Sequence, residues 1–393
     1  MGHFLVLGAG KMGLVMAKDL IESEPGYKVT LVDIDFNALK YAREFIGSDR
    51  LETLQRNIED RDQRDAAMKG KDVVLCALLH RHSLPVLESA VRLGVHFVDV
   101  VGEFTLDRLE FNEEAKKKDI TTISGCGVSP GITNVCVGRG VELLDQTENA
   151  LVYVGGNPVE GKPPLKYRIV YAVNSLLGLY ERKALVLMDG NLTKVEAMSG
   201  VEPISFPPDF PEMECFYTDG LNSLAHTMQG KVGGELSQKT IRYKSHAAEI
   251  RTLRECGFFE GDPIEIDGTR IIPRRVTESL LDAKIALGED KDVTLLRVVV
   301  AGKTSGKPET HVFEMVDYFD EEKNYTSMGK TTSFPASIAA QMILKGEIKH
   351  RGVVFPEEIF VGELYDPFVD SLKARGVLIT HTKRGQATFY RGN

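Results

Sequence analysis

Through its first third the chain alternates short apolar runs with longer stretches of helical pattern. The apolar runs are "HFLVLGAG", "KVTLVDID", "DVVLCALL", "VHFVDVV" and "ITTISG". Between them lie "KMGLVMAKDLIES", "FNALKYAREF", "RDQRDAAMKG", "SLPVLESAVRLG" and "LDRLEFNEEAKKK". Strands that are apolar on both faces and alternate with helices predict βαβ units and an α/β, doubly wound parallel sheet of Rossmann type over residues 1–127.

After Asn134 the rhythm changes. "ALVLMDGNLTKVEA" and "IEIDGTRIIP" each place Asp-Gly between strand-like segments, the hairpin signal in which the turn needs φ > 0. "VTLLRVVVAGKTSGKPETHVFEMVDYF" reads as a hairpin with a longer Gly/Lys/Pro loop. Two helices interrupt the strands: "SHAAEIRTLRECG", with Ser245 as cap and Gly257 as stop, and "TESLLDAKIALG". An α+β domain with a mostly antiparallel sheet is therefore predicted over 128–334. The helix "SFPASIAAQMILKG" and an α/β-like tail follow, and the segment from about 335 to 393 is expected to return to the first domain and buttress its edge.

Composition narrows the function classes. A length of 393 residues with 42% hydrophobic content supports two ordinary cores. The net charge of −9, from 48 basic and 57 acidic residues, argues against a nucleic-acid surface. The densest basic run, "EEAKKKD" around Lys116, is flanked by acids and reads as a solvated helix face. Five scattered cysteines without a C-x-x-C pair favour a reducing compartment over a disulfide framework or a zinc ribbon. Runs such as "VVLCALL" fall short of the ~18 residues of a membrane span. "HFLVLGAG" runs into a strand without a charged leader, and Val6 stands where a myristoylation signal needs a small hydroxyl residue. The expectation is a cytoplasmic protein with neither membrane nor nucleic-acid partner.

The chemistry begins at Gly8, Gly10 and Gly13, a G-x-G-x-x-G between an apolar strand and a helix, with Asp33 twenty positions further on at the end of the second strand. That context makes it a dinucleotide fingerprint. Gly8 permits the tight turn, Gly10 lets backbone approach a pyrophosphate, and Gly13 lets helix and strand pack closely. The amides near Lys11 and Met12 face the anion at the positive helix end. Asp33 accepts hydrogen bonds from ribose hydroxyls and repels a 2′-phosphate, which favours NAD over NADP. Asn57 stands where a third strand ends, placed to touch adenine or simply to close a loop. Ala77 and Leu78 close the fourth strand, where chain and cofactor pass at close range. "TTISGCGVSPGITN" forms a second glycine-rich turn at a strand end, with Gly125, Gly127 and Gly131 around Pro130. Gly127 is expected to bring backbone close to the nicotinamide as the chain crosses into the second domain.

"VLGAGKMG", "GCGVSPGITN", "YVGGNPVEGKPPLKYRIVY", "VEPI", "YTDGLNSL" and "KTIRYKSHAAEI" together resemble the saccharopine dehydrogenase-like reductases, within them the lysine 6-dehydrogenase branch. The resemblance covers nearly the whole chain. Saccharopine-forming members carry an acidic "DPG" and an Asp-His pair at the crossing, where this chain reads "VSPGITN". The resemblance implies an NAD-dependent oxidoreductase of the CH–NH2 group, deaminating L-lysine at its terminal amine to 2-aminoadipate 6-semialdehyde. It also implies a substrate domain that mediates dimer contacts, and a homodimer is expected.

Such a reaction needs a deprotonated amine, whose free pKa is ~10.4, and hence a nearby base or desolvation. His246, in the first turn of a helix that disfavours imidazolium, and Tyr243 are the candidates for proton transfer. Arg242 and Lys239 are the candidates for a substrate carboxylate. Asp99 and Glu103 end the fifth strand near the expected nicotinamide, where either receives an ammonium. Thr218 and Asp219 in "YTDG" are further substrate candidates, although Asp-Gly is also an ordinary turn. His80 and His82 form an H-x-H without a third ligand at suitable spacing, so no metal is expected. Two rival readings remain: an imine reductase of the saccharopine or carboxyspermidine dehydrogenase type, and a non-catalytic NAD-binding regulator.

Overall fold

The structure, a computed structural model, describes residues 2–169, 173–206 and 210–385. They form two compact units. The first comprises the chain up to Leu143 with Asn222–Thr227 and Gly329–Ile379. The second comprises Leu144–Leu221, Met228–Met328 and the chain from Thr380 onward.

In the first unit, β1 (Gly2–Leu7), β2 (Tyr27–Asp33), β3 (Leu51–Gln55), β4 (Val73–Cys76), β5 (His96–Asp99) and β6 (Thr121–Ile123) lie in the order β6-β5-β4-β1-β2-β3. All their pairings are parallel. This is the predicted doubly wound sheet, with its switch point between β1 and β4. A seventh strand, β17 (Gly352–Val354), pairs in parallel with β6. On one face Val86, Leu87, Ala90 and Val91 of the helix His80–Leu93 pack against Leu5, Leu7, Val74, Cys76 and Phe97. Each large side chain buried there contributes about 1.5–3 kcal/mol.

The helix Ile132–Glu142 stays with the first unit, so the chain crosses at Leu143–Leu144 rather than just after Gly127. The cause is polar as well as steric. Buried Asn134 donates to Ser223 Oγ (3.1 Å) and to the Glu357 carboxylate (2.9 Å), and Thr227 donates to the same carboxylate (2.7 Å).

The second unit carries β7 (Gln146–Pro158), β8 (Ala184–Met188), β9 (Asn191–Val195), β10 (Glu202–Ile204), β11 (Met213–Tyr217), β12 (Leu236–Tyr243), β15 (Asp292–Thr304), β16 (Lys307–Tyr318) and β18 (Thr380–Arg384) in one sheet. Its main order is β10-β11-β12-β7-β15-β16-β18, with β8 attached to β12 and β9 to β8. Only β12–β7 is parallel, so the sheet is mostly antiparallel, as the pattern predicts. β13 (Ile264–Ile266) and β14 (Thr269–Ile271) form a separate hairpin. The last described strand, β18, belongs to this unit, whereas the sequence pattern sends the whole tail back to the first.

Asp189-Gly190, Asp267-Gly268 and Ser305-Gly306 each have two positive φ values, the backbone of a two-residue hairpin turn whose twist matches its strands. The third replaces the longer loop expected from the sequence, because β15 and β16 remain paired as far as Thr304 and Lys307. Ser245 makes no side-chain cap for the helix His246–Glu255. The Glu214 carboxylate on β11 accepts from the amides of Ser245 (3.0 Å) and Ala247 (2.6 Å) instead, a negative charge at the positive helix end.

Candidate active site

The glycine fingerprint builds a cradle at the carboxyl end of β1. Gly8 has φ +98°, and a side chain there would stand 2.9 Å from the Ala77 carbonyl oxygen. A Cβ on Gly13 would overlap the Gly8 carbonyl, so close approach of helix and strand requires glycine. Around Gly10 nothing lies within 4 Å of that position. Gly10 is the N-cap of the helix Lys11–Ser23, which has neither a side-chain cap nor an acidic residue in its first turn. Its first amides, at Lys11 and Met12, are donors of the kind that a helix N-terminus leaves outside its own ladder and that anions answer. This donor set fits a pyrophosphate.

Asp33, half-buried at the end of β2, accepts from the amides of Ala9 (2.6 Å) and Asp35 (2.9 Å). Ala77 and Leu78 follow β4 on the same edge of the sheet, and the Ala77 amide donates to the Leu7 carbonyl (2.9 Å). Asn57 turns inward. Its side-chain oxygen accepts from the Glu59 amide (3.0 Å), and its own amide donates to Gln63 (3.0 Å), which closes the loop before the helix Arg61–Met68.

The second glycine turn folds on itself. The Gly127 amide donates to the Pro130 carbonyl (2.8 Å), and the Ile132 amide donates to the Gly127 carbonyl (2.9 Å). Gly131 has φ +135°, and Gly102 and Gly125 both lie against the Pro130 ring. Gly127 is buried, with the space for a side chain taken by Thr332 and Pro130. It therefore does not open onto a cofactor, as the sequence reading supposed.

Asp99 is also corrected. It is fully buried, with Arg108 Nη2 3.1 Å from its Oδ2, the Gly125 amide donating to Oδ1 (3.1 Å) and the Ser83 hydroxyl donating to Oδ2. Burial pushes its carboxyl up against these partners. It serves the interior, not an incoming ammonium. Glu103, four residues on, is exposed.

In the second unit Lys239, Arg242, Tyr243 and His246 of "KTIRYKSH" are buried. Arg242 is buried with its guanidinium 4.5 Å from the Tyr167 ring centroid, and its Nε donates to the Tyr180 hydroxyl (3.1 Å). That hydroxyl lies 2.8 Å from His246 Nε2, and His246 Nδ1 lies 3.0 Å from the Leu165 carbonyl oxygen. A carbonyl only accepts, so Nδ1 carries the hydrogen. Burial first, and the Arg242 charge second, lower the His246 pKa to about 3, so the ring is neutral and Nε2 accepts from Tyr180. His246 therefore orients Tyr180 and Arg242 rather than facing a substrate.

Tyr243 donates to the carbonyls of Pro158 (3.0 Å) and Val159 (2.7 Å), and burial pushes its hydroxyl up to about 12, which removes it as a proton acceptor. Lys239 pairs with Glu202 (2.8 Å), donates to the Gly200 carbonyl (3.1 Å) and lies 4.5 Å from the Tyr217 ring. Thr218 is buried against Thr240 (2.8 Å). Asp219 pairs with Arg182 (3.5 Å) in an open groove of about 450 Å³ lined also by Lys183, Leu185 and Lys194. Sequence reasoning missed Tyr180, Arg108 and Glu357, none of which stands in a motif.

Fold and glycine cradle together define a dinucleotide-binding protein with a second, mostly antiparallel domain. Residues 4–123 match the saccharopine dehydrogenase NADP binding domain, and residues 127–377 match the saccharopine dehydrogenase C-terminal domain. The chain belongs to the saccharopine dehydrogenase family. It is 20% identical over 398 residues to carboxyaminopropylagmatine dehydrogenase of Synechocystis sp., with 96% of each chain covered. It is 21% identical over 450 residues to the NADP(+), L-glutamate-forming saccharopine dehydrogenase of Schizosaccharomyces pombe, with 96% of this chain and 98% of the other covered. The mitochondrial alpha-aminoadipic semialdehyde synthase of Rattus norvegicus is 21% identical over 388 residues, 81% of this chain but only 41% of that protein. The chain thus spans about two fifths of that relative's length. The apo saccharopine dehydrogenase (L-Glu forming) of Saccharomyces cerevisiae shares the fold, with a TM-score of 0.81 at 19% identity over 98% of this chain and all of the other.

Proposed function

We propose that the chain is an NAD-dependent dehydrogenase of the CH–NH2 group that oxidises L-lysine at its terminal amine to 2-aminoadipate 6-semialdehyde. The observation that carries the cofactor half is the Asp33 carboxylate beside the open Gly10 cradle. A ribose with free hydroxyls suits that carboxylate, and a 2′-phosphate does not. Ile34, Asp35 and Phe36 follow it, and Arg56 turns its Nη1 to the Gln55 carbonyl (2.8 Å). The lysine assignment is supported by the resemblance of "GCGVSPGITN" and "KTIRYKSHAAEI".

NAD, when bound, would supply the hydride acceptor. The terminal ammonium first gives up a proton, the carbon bearing it gives up the hydride to form an imine, and water then replaces the nitrogen as ammonia. Glu103, exposed beyond β5, is the proposed partner of the amine.

The second reading is an imine reductase that joins an amine to a carbonyl compound. The near-complete alignment with relatives named carboxyaminopropylagmatine and saccharopine dehydrogenase favours it. Initial rates of NADH formation with lysine, ornithine and putrescine, each with NAD and with NADP, separate the two. Turnover is expected with lysine and NAD, with kcat/KM rising towards pH ~10.4 as the amine deprotonates. Silence on all three, with NADH oxidised only when an amine and a carbonyl compound are supplied together, would replace deamination by the reductase.

A further inference from the structure

Arg108 is fully buried, and all three nitrogens of its guanidinium donate hydrogen bonds. Nε donates to the Glu103 carbonyl (2.8 Å), and Nη1 donates to Ser124 Oγ (2.7 Å). Nη2 donates to Ser83 Oγ (2.7 Å) and the Val101 carbonyl (3.1 Å), and lies 3.1 Å from the Asp99 carboxylate. One side chain thus ties the loop after β5 to the ends of β5 and β6 and to the helix after β4. A buried ion pair is commonly no more stabilising than an apolar pair of equal volume, so stability alone does not explain it. What the pair does secure is the backbone of Val101–Glu103.

That loop stands at the carboxyl edge of the sheet, where ligands of doubly wound folds bind. The Gly10 cradle takes the pyrophosphate, and Asp33 places the adenosine half on the β2 side. The other half of the molecule then falls on the side of β4, β5 and β6. We infer that Arg108 is a positioning residue for the nicotinamide half of the dinucleotide, fixing the Val101–Glu103 backbone and with it the Glu103 carboxylate. This rests on the dinucleotide reading above and extends it.

The test compares NADH with ADP-ribose, which lacks only the nicotinamide, by calorimetric titration of the full chain. The variants are Arg108→Met and the double Asp99→Asn/Arg108→Met. The double variant removes both charges together and leaves no unpaired carboxylate to unfold the protein. In both, the NADH Kd is expected to rise about tenfold, while the ADP-ribose Kd stays within about twofold. Equal weakening of both ligands would reduce Arg108 to a structural role and overturn the inference. So would unchanged NADH binding in the folded double variant. Failure of the wild-type chain to bind either ligand would instead overturn the dinucleotide reading, and the inference with it.

Discussion

At Asp33 one carboxylate holds the amides of both Ala9 and Asp35, so it shapes the glycine loop as well as facing outward from β2. Replacing it by serine keeps an acceptor but removes the charge. Asp33→Ser is expected to lower the ratio of kcat/KM for NAD over NADP by about tenfold or more, roughly 1.4 kcal/mol of discrimination, measured by initial rates with each nucleotide. An unchanged ratio would take the choice of nucleotide away from Asp33. His246 behaves differently, because its folded pKa lies below its unfolded value of ~6.5. Its contribution to stability is complete above that unfolded value and is lost as pH falls towards the folded one. Urea unfolding at pH 7 and pH 5 should therefore show a loss on acidification that is smaller in His246→Gln by about 2 kcal/mol. Equal losses in the two proteins would show that the ring is not held neutral. Asp33 was legible in the sequence because its glycine partners keep fixed spacing. The surroundings of His246 were not, because Tyr180 and Leu165 lie 66 and 81 residues away along the chain. Arg108 was hidden for a further reason: "LDRLEFNEEAKKK" reads as a helical stretch, and nothing local marks one of its cations as buried.

Among the elements, hairpins closed by Asp-Gly could be read directly, since few dipeptides accept two consecutive positive φ values. Ser305-Gly306 does the same work, but its neighbours Gly302, Lys307 and Pro308 made the loop look longer than it is. The cap of the helix His246–Glu255 was misread for want of register. Glu214 reaches the helix start because β11 sets it opposite Arg242 on β12, a pairing that no single-strand pattern reveals. The second glycine turn was visible as a cluster of glycines, but its physical purpose was not. Gly125 and Gly102, the latter from the loop after β5, must both leave room for Pro130, and Gly131 must close back on Gly127. The glycines serve contact between parts of the protein rather than contact between backbone and cofactor. A substitution at Gly127 accordingly perturbs packing first.

At the scale of the whole molecule, the doubly wound sheet and the mostly antiparallel sheet were both legible from the change of rhythm after Asn134. The number of chain crossings was not. Asn222–Thr227 belongs to the first unit although its flanks belong to the second, and buried Glu357 binds it there with Asn134. Such a return depends on Asn134, Ser223, Thr227 and Glu357, drawn from three places far apart in sequence, and leaves no periodic trace. Among the described residues no helix is long and apolar enough to cross a membrane. Family membership and fold place the chain in the saccharopine dehydrogenase family, and the proposed reaction is specific enough to be followed atom by atom. Lysine labelled with ¹⁵N at the terminal amine, incubated with the protein and NAD at alkaline pH, tests it most directly. The account predicts labelled ammonium and NADH in equal amounts, with an unlabelled amino group retained in the aldehyde product. Release of the α-nitrogen, or retention of the label in a secondary amine formed only when a carbonyl partner and NADH are supplied, would contradict it.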